Sequence, residues 1–146
     1  DESPTGDKKA AKFEDDYLDE LFDVITAIGF RAVTYMPPRN TLEQLRRVQL
    51  LCREHGLMEI SGVDINSSRQ EFTCGEILQP EFRHLIDSTW ALIAHEKLAN
   101  VSPDYSLFAP GNPVVGDLDA RIGRYAQIGR RIDPHHPEAA VEVAGF

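Results

Sequence analysis

The sequence predicts an α/β fold: a βαβ unit of parallel strands with flanking helices, followed by a helical carboxyl-terminal tail. Two observations predict it. Apolar residues recur at helical spacing between two short segments rich in β-branched and aromatic residues, and the connections between these segments are short. The chain has 146 residues, of which 42% are apolar and 27% charged. This composition is typical of a globular domain.

A helix is predicted ahead of the strands. Residues 1–12 are polar and show no apolar period, so we expect a flexible lead-in. From residue 13 the pattern changes, and apolar residues at steps of three and four predict one apolar stripe on a helix that stops at Gly29. The stripe contains Tyr17, Leu18, Leu21, Phe22, Ile25 and Ile28.

The predicted βαβ unit follows this helix. Residues 30–36 and 57–63 are predicted strands, and apolar periodicity predicts a helix over Leu42–His55 between them. Thr41 and Gln44 have the spacing of a capping box at the start of that helix. A strand, a helix and a strand joined by short loops form parallel strands with a right-handed crossover.

The tail is predicted to be mostly helical. A third helix is expected to start at Pro80 and to run to about Asn100, with one apolar face made of Phe82, Leu85, Ile86, Trp90 and Ile93. Residues 102–116 carry prolines and glycines and predict a loop. A fourth helix is expected from Leu118, with Arg130 and Arg131 in its last turn, and an irregular end follows it.

Charge and hydropathy exclude several classes of partner. Lys and Arg total 15 against 24 Asp and Glu, a formal net charge of -9. Such a chain lacks the general attraction that holds proteins on nucleic acid or anionic lipid, so we expect no non-specific nucleic-acid binding and no membrane association. No apolar stretch approaches the roughly 20 residues of a membrane span and the first residues lack a signal-peptide core, so a cytoplasmic location is expected.

Polar residues follow the second predicted strand. Asp64 and Asn66 alternate along its end, so their side chains are expected on one side, and a carboxylate with a carboxamide oxygen suits a hard divalent cation. The alternative is that both residues cap a loop through hydrogen bonds to their own backbone. Ligands of parallel sheets tend to lie beyond the carboxyl ends of the strands, where these residues fall.

Two arginines flank the same predicted edge. Arg39 and Arg69 lie just past the two strand ends, and a pair of guanidinium groups there could hold a phosphate or a carboxylate. The alternative is that each arginine pairs with a surface acid.

No side chain stands out as catalytic. The sequence has no Gly-x-Ser-x-Gly elbow and no glycine-rich phosphate loop, and Cys52 lies in mid-helix without a basic partner. Cys52 and Cys74 are expected to be small packing residues. His84 and His95 share a predicted helix, where half-buried structural positions are favoured over a metal pair.

Several motifs together resemble a known family. They are GFRAVTYMPPRNT at 29–41, CREHGL at 52–57 and SGVDIN at 61–66, with PEFRHLID at 80–87 and WALIAHE at 90–96 further on. The first three resemble the carboxyl-terminal part of a polymerase-and-histidinol-phosphatase (PHP) domain. The later stretch is similar to the tail that follows this domain in one bacterial branch of the superfamily. The resemblance covers residues 13–100 and leaves 101–146 unassigned.

The resemblance implies a distorted βα barrel, of which this chain holds a part, with a cluster of divalent metal ions at the strand ends that hydrolyses phosphoesters. Asp64 would be a metal ligand, and Asn66 would stand where the family has a histidine. An amide oxygen there favours manganese or magnesium over zinc, or leaves the site empty. Arg39 or Arg69 would bind the phosphate of a phosphorylated small molecule.

The chain departs from the family pattern in one important respect. It contains no His-x-His, the motif that opens the family's ligand set, and no strands that would carry the other ligands. We therefore expect a segment of a metal-dependent phosphoric ester hydrolase that is inactive on its own and needs the missing barrel portion or another copy. The alternative is a non-catalytic α/β module for self-association or partner binding. A weaker third option is an anion-binding protein that uses the two arginine loops.

Overall fold

The computed structural model describes residues 16–65, 67–70, 72–133 and 135–146, so the predicted lead-in lies outside it. The chain is mixed α/β and divides into two compact units, the first ending at Arg83 and the second comprising His84–Phe146. Its helices and strands are α1 (Leu18–Ala27), β1 (Ala32–Tyr35), α2 (Leu42–His55), β2 (Met58–Ser61), α3 (His84–Val101), α4 (Leu118–Gly129) and α5 (Ala140–Ala144). No helix within the described ranges is long and apolar enough to cross a membrane.

The predicted pair of parallel strands is confirmed. β1 and β2 pair in parallel, with Ala32 opposite Met58 and Tyr35 opposite Ser61. Both strands are shorter than the predicted 30–36 and 57–63. Phe30 does not pair with β2, because its amide donates to the Ile25 carbonyl at 3.0 Å. This hydrogen bond closes the end of α1.

The crossover helix α2 has the predicted bounds and caps. The Thr41 hydroxyl accepts from the Gln44 amide, and the Gln44 side chain accepts from the Thr41 amide, which makes the predicted capping box. Gly56 ends the helix at a φ of 63°, a left-handed conformation that glycine adopts without steric cost. Two residues later the chain enters β2, and this short connection fixes α2 over the sheet.

The core of the first unit lies between the two helices and the sheet. Its buried members are Phe22 from α1, Leu51 and Cys52 from α2, and Leu57 just before β2, with Leu18, Ile25, Val33 and Val48 packed against them. Cys52 is completely buried, and this burial raises the pKa of its thiol to about 12. The expectation that Cys52 is a packing residue is confirmed.

The apolar stripe of α1 is divided. Leu18, Phe22 and Ile25 pack in the core, whereas the adjacent residues Leu21 and Ile28 are 50% and 67% exposed. Helical periodicity identifies the apolar arc of a helix. It does not say how much of that arc a neighbouring element covers, and in this unit the cover is partial.

The third helix differs from its prediction. Residues 80–82 form a 3-10 turn, and α3 begins at His84. Its buried positions are Leu85, Ser88, Ala91, Ala94 and Leu98, and Trp90 is 37% exposed, so the predicted apolar face is wrong at Trp90. The small residues are buried because α3 and α4 approach each other closely, and a Cβ on Gly129 would overlap the carbonyl oxygen of Trp90. Large side chains do not fit along such a contact.

The loop over residues 102–116 is largely as predicted, with a 3-10 turn at 103–105. Its buried anchor is Asn112, whose side-chain amide donates to the Ser106 carbonyl at 2.7 Å and to the Tyr125 hydroxyl at 2.6 Å. The Tyr125 hydroxyl in turn donates to the Tyr105 carbonyl at 2.6 Å. Three parts of the second unit are thereby joined through one buried polar group.

The fourth helix begins at Leu118 as predicted, but it ends at Gly129, so Arg130 and Arg131 lie beyond its last turn. The prediction of an irregular end is also wrong. Asp117 caps α4 by accepting from the Ala120 amide at 2.9 Å. Beyond it, the short helix α5 replaces the predicted irregular segment. Its stability depends on tertiary contacts, because Ala140 and Ala144 are buried and Arg124 donates to the Ala144 carbonyl at 2.7 Å. A five-residue helix has too few residues for sequence periodicity to reveal it.

Two glycines of α4 provide a matched test of the close helix contact. We expect Gly129→Ala to lower the free energy of unfolding by about 1–3 kcal/mol, since the new methyl group must displace the backbone of Trp90. Gly123→Ala should raise it by about 0.5–1 kcal/mol, because nothing lies within 4 Å of its Cβ position and alanine favours helix. Urea unfolding measures both, and two changes of the same sign would contradict the packing described.

Candidate functional site

The structure brings two of the predicted site residues into contact. Arg39 lies in the turn after β1, and Asp64 lies three residues after the last residue of β2. The Arg39 Nη1 atom donates to the Asp64 Oδ2 atom at 2.8 Å. The side chains are 24% and 45% exposed, so the pair lies at the surface, at the carboxyl ends of two neighbouring parallel strands.

The position of Arg39 is set by the end of β1. Pro37 and Pro38 stop the strand, and the Arg39 amide donates to the Met36 carbonyl at 3.0 Å, which closes a tight turn. The guanidinium group also contacts the Met36 sulfur at 3.8 Å. This turn aims the Arg39 side chain toward the end of the neighbouring strand.

The position of Asp64 is set by the close packing of Gly62 on β1 and by hydrogen bonds from Gln70. A Cβ on Gly62 would lie 2.9 Å from the Thr34 methyl group, so glycine lets the end of β2 lie directly against β1. The buried side chain of Gln70 then donates to the Asp64 carbonyl at 2.8 Å and accepts from the Ser67 amide at 2.8 Å. One glutamine thus holds both ends of the loop.

A polar network joins β1, β2 and α2. The Tyr35 hydroxyl donates to the Glu59 carboxylate at 2.7 Å, across the two strands. Gln49 of α2 donates to the Tyr35 hydroxyl and to the Glu81 carbonyl, both at 3.2 Å. Burial raises the pKa of the Tyr35 hydroxyl, which keeps it a hydrogen-bond donor at any physiological pH. The network fixes the spacing of β1, β2 and α2.

Sequence reasoning missed Gln49 and Gln70. Gln49 occupies an ordinary position of the α2 pattern, and Gln70 follows a polar run that predicts only a loop. The one signal for Gln49 was its place among the apolar residues of α2, three positions from the core residue Cys52. Nothing in the sequence distinguishes Gln70 from its polar neighbours.

Of the other two predicted site residues, only Arg69 is described, and it is not part of this contact. The Arg69 side chain is exposed, and no ion pair or hydrogen bond joins it to another residue that the structure describes. Asn66 lies outside the described residues. The two guanidinium groups therefore do not meet on one acid in the described loops.

A metal ion needs more ligands than the pair supplies. Among the described residues there is no group of three or more His, Cys, Asp or Glu side chains that could hold one. Asp64, the predicted ligand, uses one carboxylate oxygen on Arg39. By themselves, these residues do not fit the metal cluster that the resemblance implies.

The two histidines of α3 differ in exposure. His84 is exposed, which differs from the half-buried position expected, whereas the expectation for His95 is confirmed. The Nδ1 atom of His95 accepts from the Leu107 amide at 3.0 Å, and its ring lies edge-on to Phe108. Burial lowers the pKa of His95 below its ordinary value of 6.5, and the charge of Glu96 opposes this shift only in part.

The loop clamp can be tested by removing it. Gln70→Ala should leave the Ser67 amide without its acceptor and lower the free energy of unfolding by about 1–2 kcal/mol. Hydrogen exchange at Ser67 should quicken. Gln79→Ala, at an exposed glutamine, is the matched control and should change neither quantity. Equal effects of the two substitutions would show that Gln70 does not hold the loop.

His95 should make stability depend on pH. In the unfolded chain the imidazole titrates near 6.5, but in the folded state its pKa is lower, so the unfolded state binds more protons below that pH. The free energy of unfolding should therefore fall as the pH drops from about 6.5 toward the folded pKa. His95→Asn keeps an acceptor without a titrating group. Its stability should be flatter over this window, and identical slopes for the two proteins would refute the assignment.

Comparisons with known proteins identify no relative of this chain, so the site is interpreted from its geometry. Searches against protein-family models, curated proteins and solved structures found no match to this chain. What the structure adds to the motifs at residues 29–41 and 61–66 is their placement. The first motif contains β1 and the turn after it, whereas the second begins at the last residue of β2 and continues into the loop beyond that strand.

Proposed function

We propose that residues 13–100 are the carboxyl-terminal segment of a PHP-type metal-dependent phosphoesterase and form part of its βα barrel. In this proposal the chain supplies Asp64 as a ligand of a divalent metal ion and Arg39 as a binding group for substrate phosphate. The substrate class is a phosphorylated small molecule. The chain alone is inactive, since the remaining ligands come from polypeptide outside this segment.

The contact between Arg39 and Asp64 carries the proposal. A cation and an anion 2.8 Å apart, each just beyond one of two neighbouring parallel strands, occupy the place where such sheets bind ligands. A surface ion pair of this kind contributes only about 0–1 kcal/mol to stability, so stability is a weak reason for its presence. A role in binding explains why the turn at Met36 and the Gln70 contact hold the two residues in place.

The chemistry of each residue matches its proposed role. A carboxylate is a ligand for manganese, magnesium and zinc, and two oxygens let it accept from a guanidinium while facing a cation. The planar guanidinium of Arg39 offers parallel donors that match two phosphate oxygens. The uncharged side chain of Gln70 holds the Asp64 backbone, so this contact leaves the Asp64 carboxylate to Arg39 and a ligand.

A second candidate is a non-catalytic module for association with another copy or another protein. The observation in its favour is that the described residues hold no group of three or more metal-ligating side chains. Under this alternative the Arg39 and Asp64 pair is a surface contact between loops. The two candidates differ in whether Asp64 affects metal retention.

The test is hydrolysis of para-nitrophenyl phosphate with Mn²⁺, Mg²⁺ or Zn²⁺, measured on the chain alone and on the full-length product of its gene. We expect turnover only in the full-length protein. Asp64→Asn should lower kcat/KM at least about 100-fold and reduce the metal retained after gel filtration, in line with loss of a metal ligand. Arg39→Ala should chiefly raise KM, because it removes a phosphate contact.

Matched controls separate these effects from a change of net charge. Asp119→Asn and Arg83→Ala alter exposed residues that belong neither to the turn after β1 nor to the loop after β2, and they should leave kinetics and metal content unchanged. Arg69→Ala tests the second arginine and should raise KM less than Arg39→Ala does. A full-length protein that retains no metal and hydrolyses no phosphoester would overturn the proposal and favour the non-catalytic module.

A further inference from the structure

A row of exposed apolar residues runs along α1. Its members are Tyr17, Leu21, Val24 and Ile28, whose exposed fractions are 53%, 50%, 56% and 67%. We call these four residues the α1 row. Backbone hydrogen bonds carry the helical path to both ends of the row. The Leu21 amide donates to the Tyr17 carbonyl at 2.9 Å, and the Ile28 amide makes the same bond to the Val24 carbonyl at 3.0 Å.

The α1 row is large enough to form the centre of an interface. It lies directly beside the core, because Leu18, Phe22 and Ile25 each follow a member of the row by one residue. Four large side chains, each about half exposed, offer roughly 400 Å² of apolar surface. Homodimer interfaces are about 65% apolar, so two such rows account for about 1,200 Å² of buried surface, the lower end of the standard size.

The spacing of the α1 row is the same in both directions. Its members are four, three and four residues apart, so the row coincides with itself when the helix is reversed. In a two-fold symmetric pair of antiparallel helices, Tyr17 of one copy lies opposite Ile28 of the other. Leu21 then lies opposite Val24. An interface between identical copies requires this self-complementarity, and steps of four and three are the seam repeat of two packed helices.

The charges around α1 favour an antiparallel over a parallel pair. Asp16 and Glu20 are exposed near its amino end, and Arg31 is exposed beyond its carboxyl end. The Arg31 side chain has no ion pair with another residue that the structure describes. Parallel copies would align acids with acids. In an antiparallel pair each acidic end faces the end that carries Arg31, and the two helix dipoles are opposed.

The polar face of α1 argues against a lipid surface as the occupant. Amphipathic helices that lie on membranes carry lysine and arginine on this face, whereas α1 carries Asp19, Glu20 and Asp23. The net charge of -9 also opposes the approach of two copies. At physiological salt, screening over about 8 Å confines that repulsion to charges near the contact.

From these features we infer that two copies of the chain associate through their α1 rows as an antiparallel, two-fold symmetric pair of helices. The helix α1 leads into the amino end of β1, whereas Arg39 and Asp64 follow the carboxyl ends of the strands. The association therefore does not use the candidate site. It depends on neither candidate function and is a property of the 146-residue chain itself.

Sedimentation equilibrium of the 146-residue chain tests the association. We expect reversible exchange between monomer and dimer with a Kd on the order of 1–100 µM, in keeping with an interface at the lower end of the standard size. Leu21→Lys with Val24→Lys should raise Kd at least about 100-fold, because it places four lysines in the contact. Both side chains are exposed in the single chain, so the circular dichroism of the monomer should not change.

The matched control for this double variant lies on α2. Glu43→Gln with Glu54→Gln makes the same change of net charge at exposed positions outside the α1 row and should not raise Kd.

A second variant tests the antiparallel order. Ala27 and Glu20 are exposed on the same flank of the α1 row, and equal flanks meet across the two-fold axis. Ala27→Lys should therefore place a lysine beside Glu20 of the second copy. Two such ion pairs should lower Kd about two- to tenfold, a gain that about 0.5 M salt removes. Glu43→Gln alone makes the same change of net charge and should gain less.

Three outcomes would overturn the inference. The first is a chain that stays monomeric at about 500 µM, well above the expected Kd. The second is a dimer that the lysine variant at Leu21 and Val24 leaves intact, which would place the contact elsewhere on the molecule. The third is a dimer that Ala27→Lys tightens no more than Glu43→Gln does, which would exclude the antiparallel order.

Discussion

The parallel pairing of β1 with β2 is the constraint on which the candidate site depends. Because the strands run in the same direction, both of their carboxyl ends lie at one edge, and the turn after β1 meets the loop after β2 there. An antiparallel pair would place these two segments at opposite ends of the sheet. The crossover helix α2 is what makes the parallel order available to so short a chain segment, and its capping box and left-handed glycine fix its length.

Around that pairing, the first unit uses polar side chains to set distances. Gln49 and Tyr35 join α2 to β1, Tyr35 reaches β2 through the Glu59 carboxylate, and Gln70 closes the loop that carries Asp64. Burying an amide or hydroxyl group costs free energy unless it keeps its hydrogen-bond partners. Each of these contacts therefore favours one arrangement of the elements over its alternatives. The charged pair of Arg39 and Asp64 is more exposed than these side chains, so its charge is available to a ligand.

The sequence was informative wherever local rules decide structure. Helical periodicity together with the Thr41 capping box and Gly56 gave the bounds of α2, and the short loops gave the parallel order of the strands. Local rules did not find α5, whose few residues are held by buried alanines and by Arg124. They also predicted Trp90 on the buried face of α3, where it is not. The buried face is decided by the close packing of Gly129 in α4, a helix that is remote in sequence.

Part of the candidate site could be predicted for the same reason. That Arg39 and Asp64 lie at one edge follows from strand direction alone. Their direct contact depends on the turn at Met36, the small size of Gly62 and the Gln70 clamp, which combine residues from separate segments. Such combinations have no sequence period. They become visible only when the side chains are placed.

The burial of Cys52 gives the first unit an internal reporter. A thiol that is wholly enclosed, with a pKa near 12, has almost no thiolate at neutral pH and no path for a reagent. Alkylation at this sulfur therefore requires the core between α1, α2 and the sheet to separate. The rate of Cys52 alkylation therefore measures how often the core opens. Cys74, which is partly exposed, provides an internal reference in the same molecule.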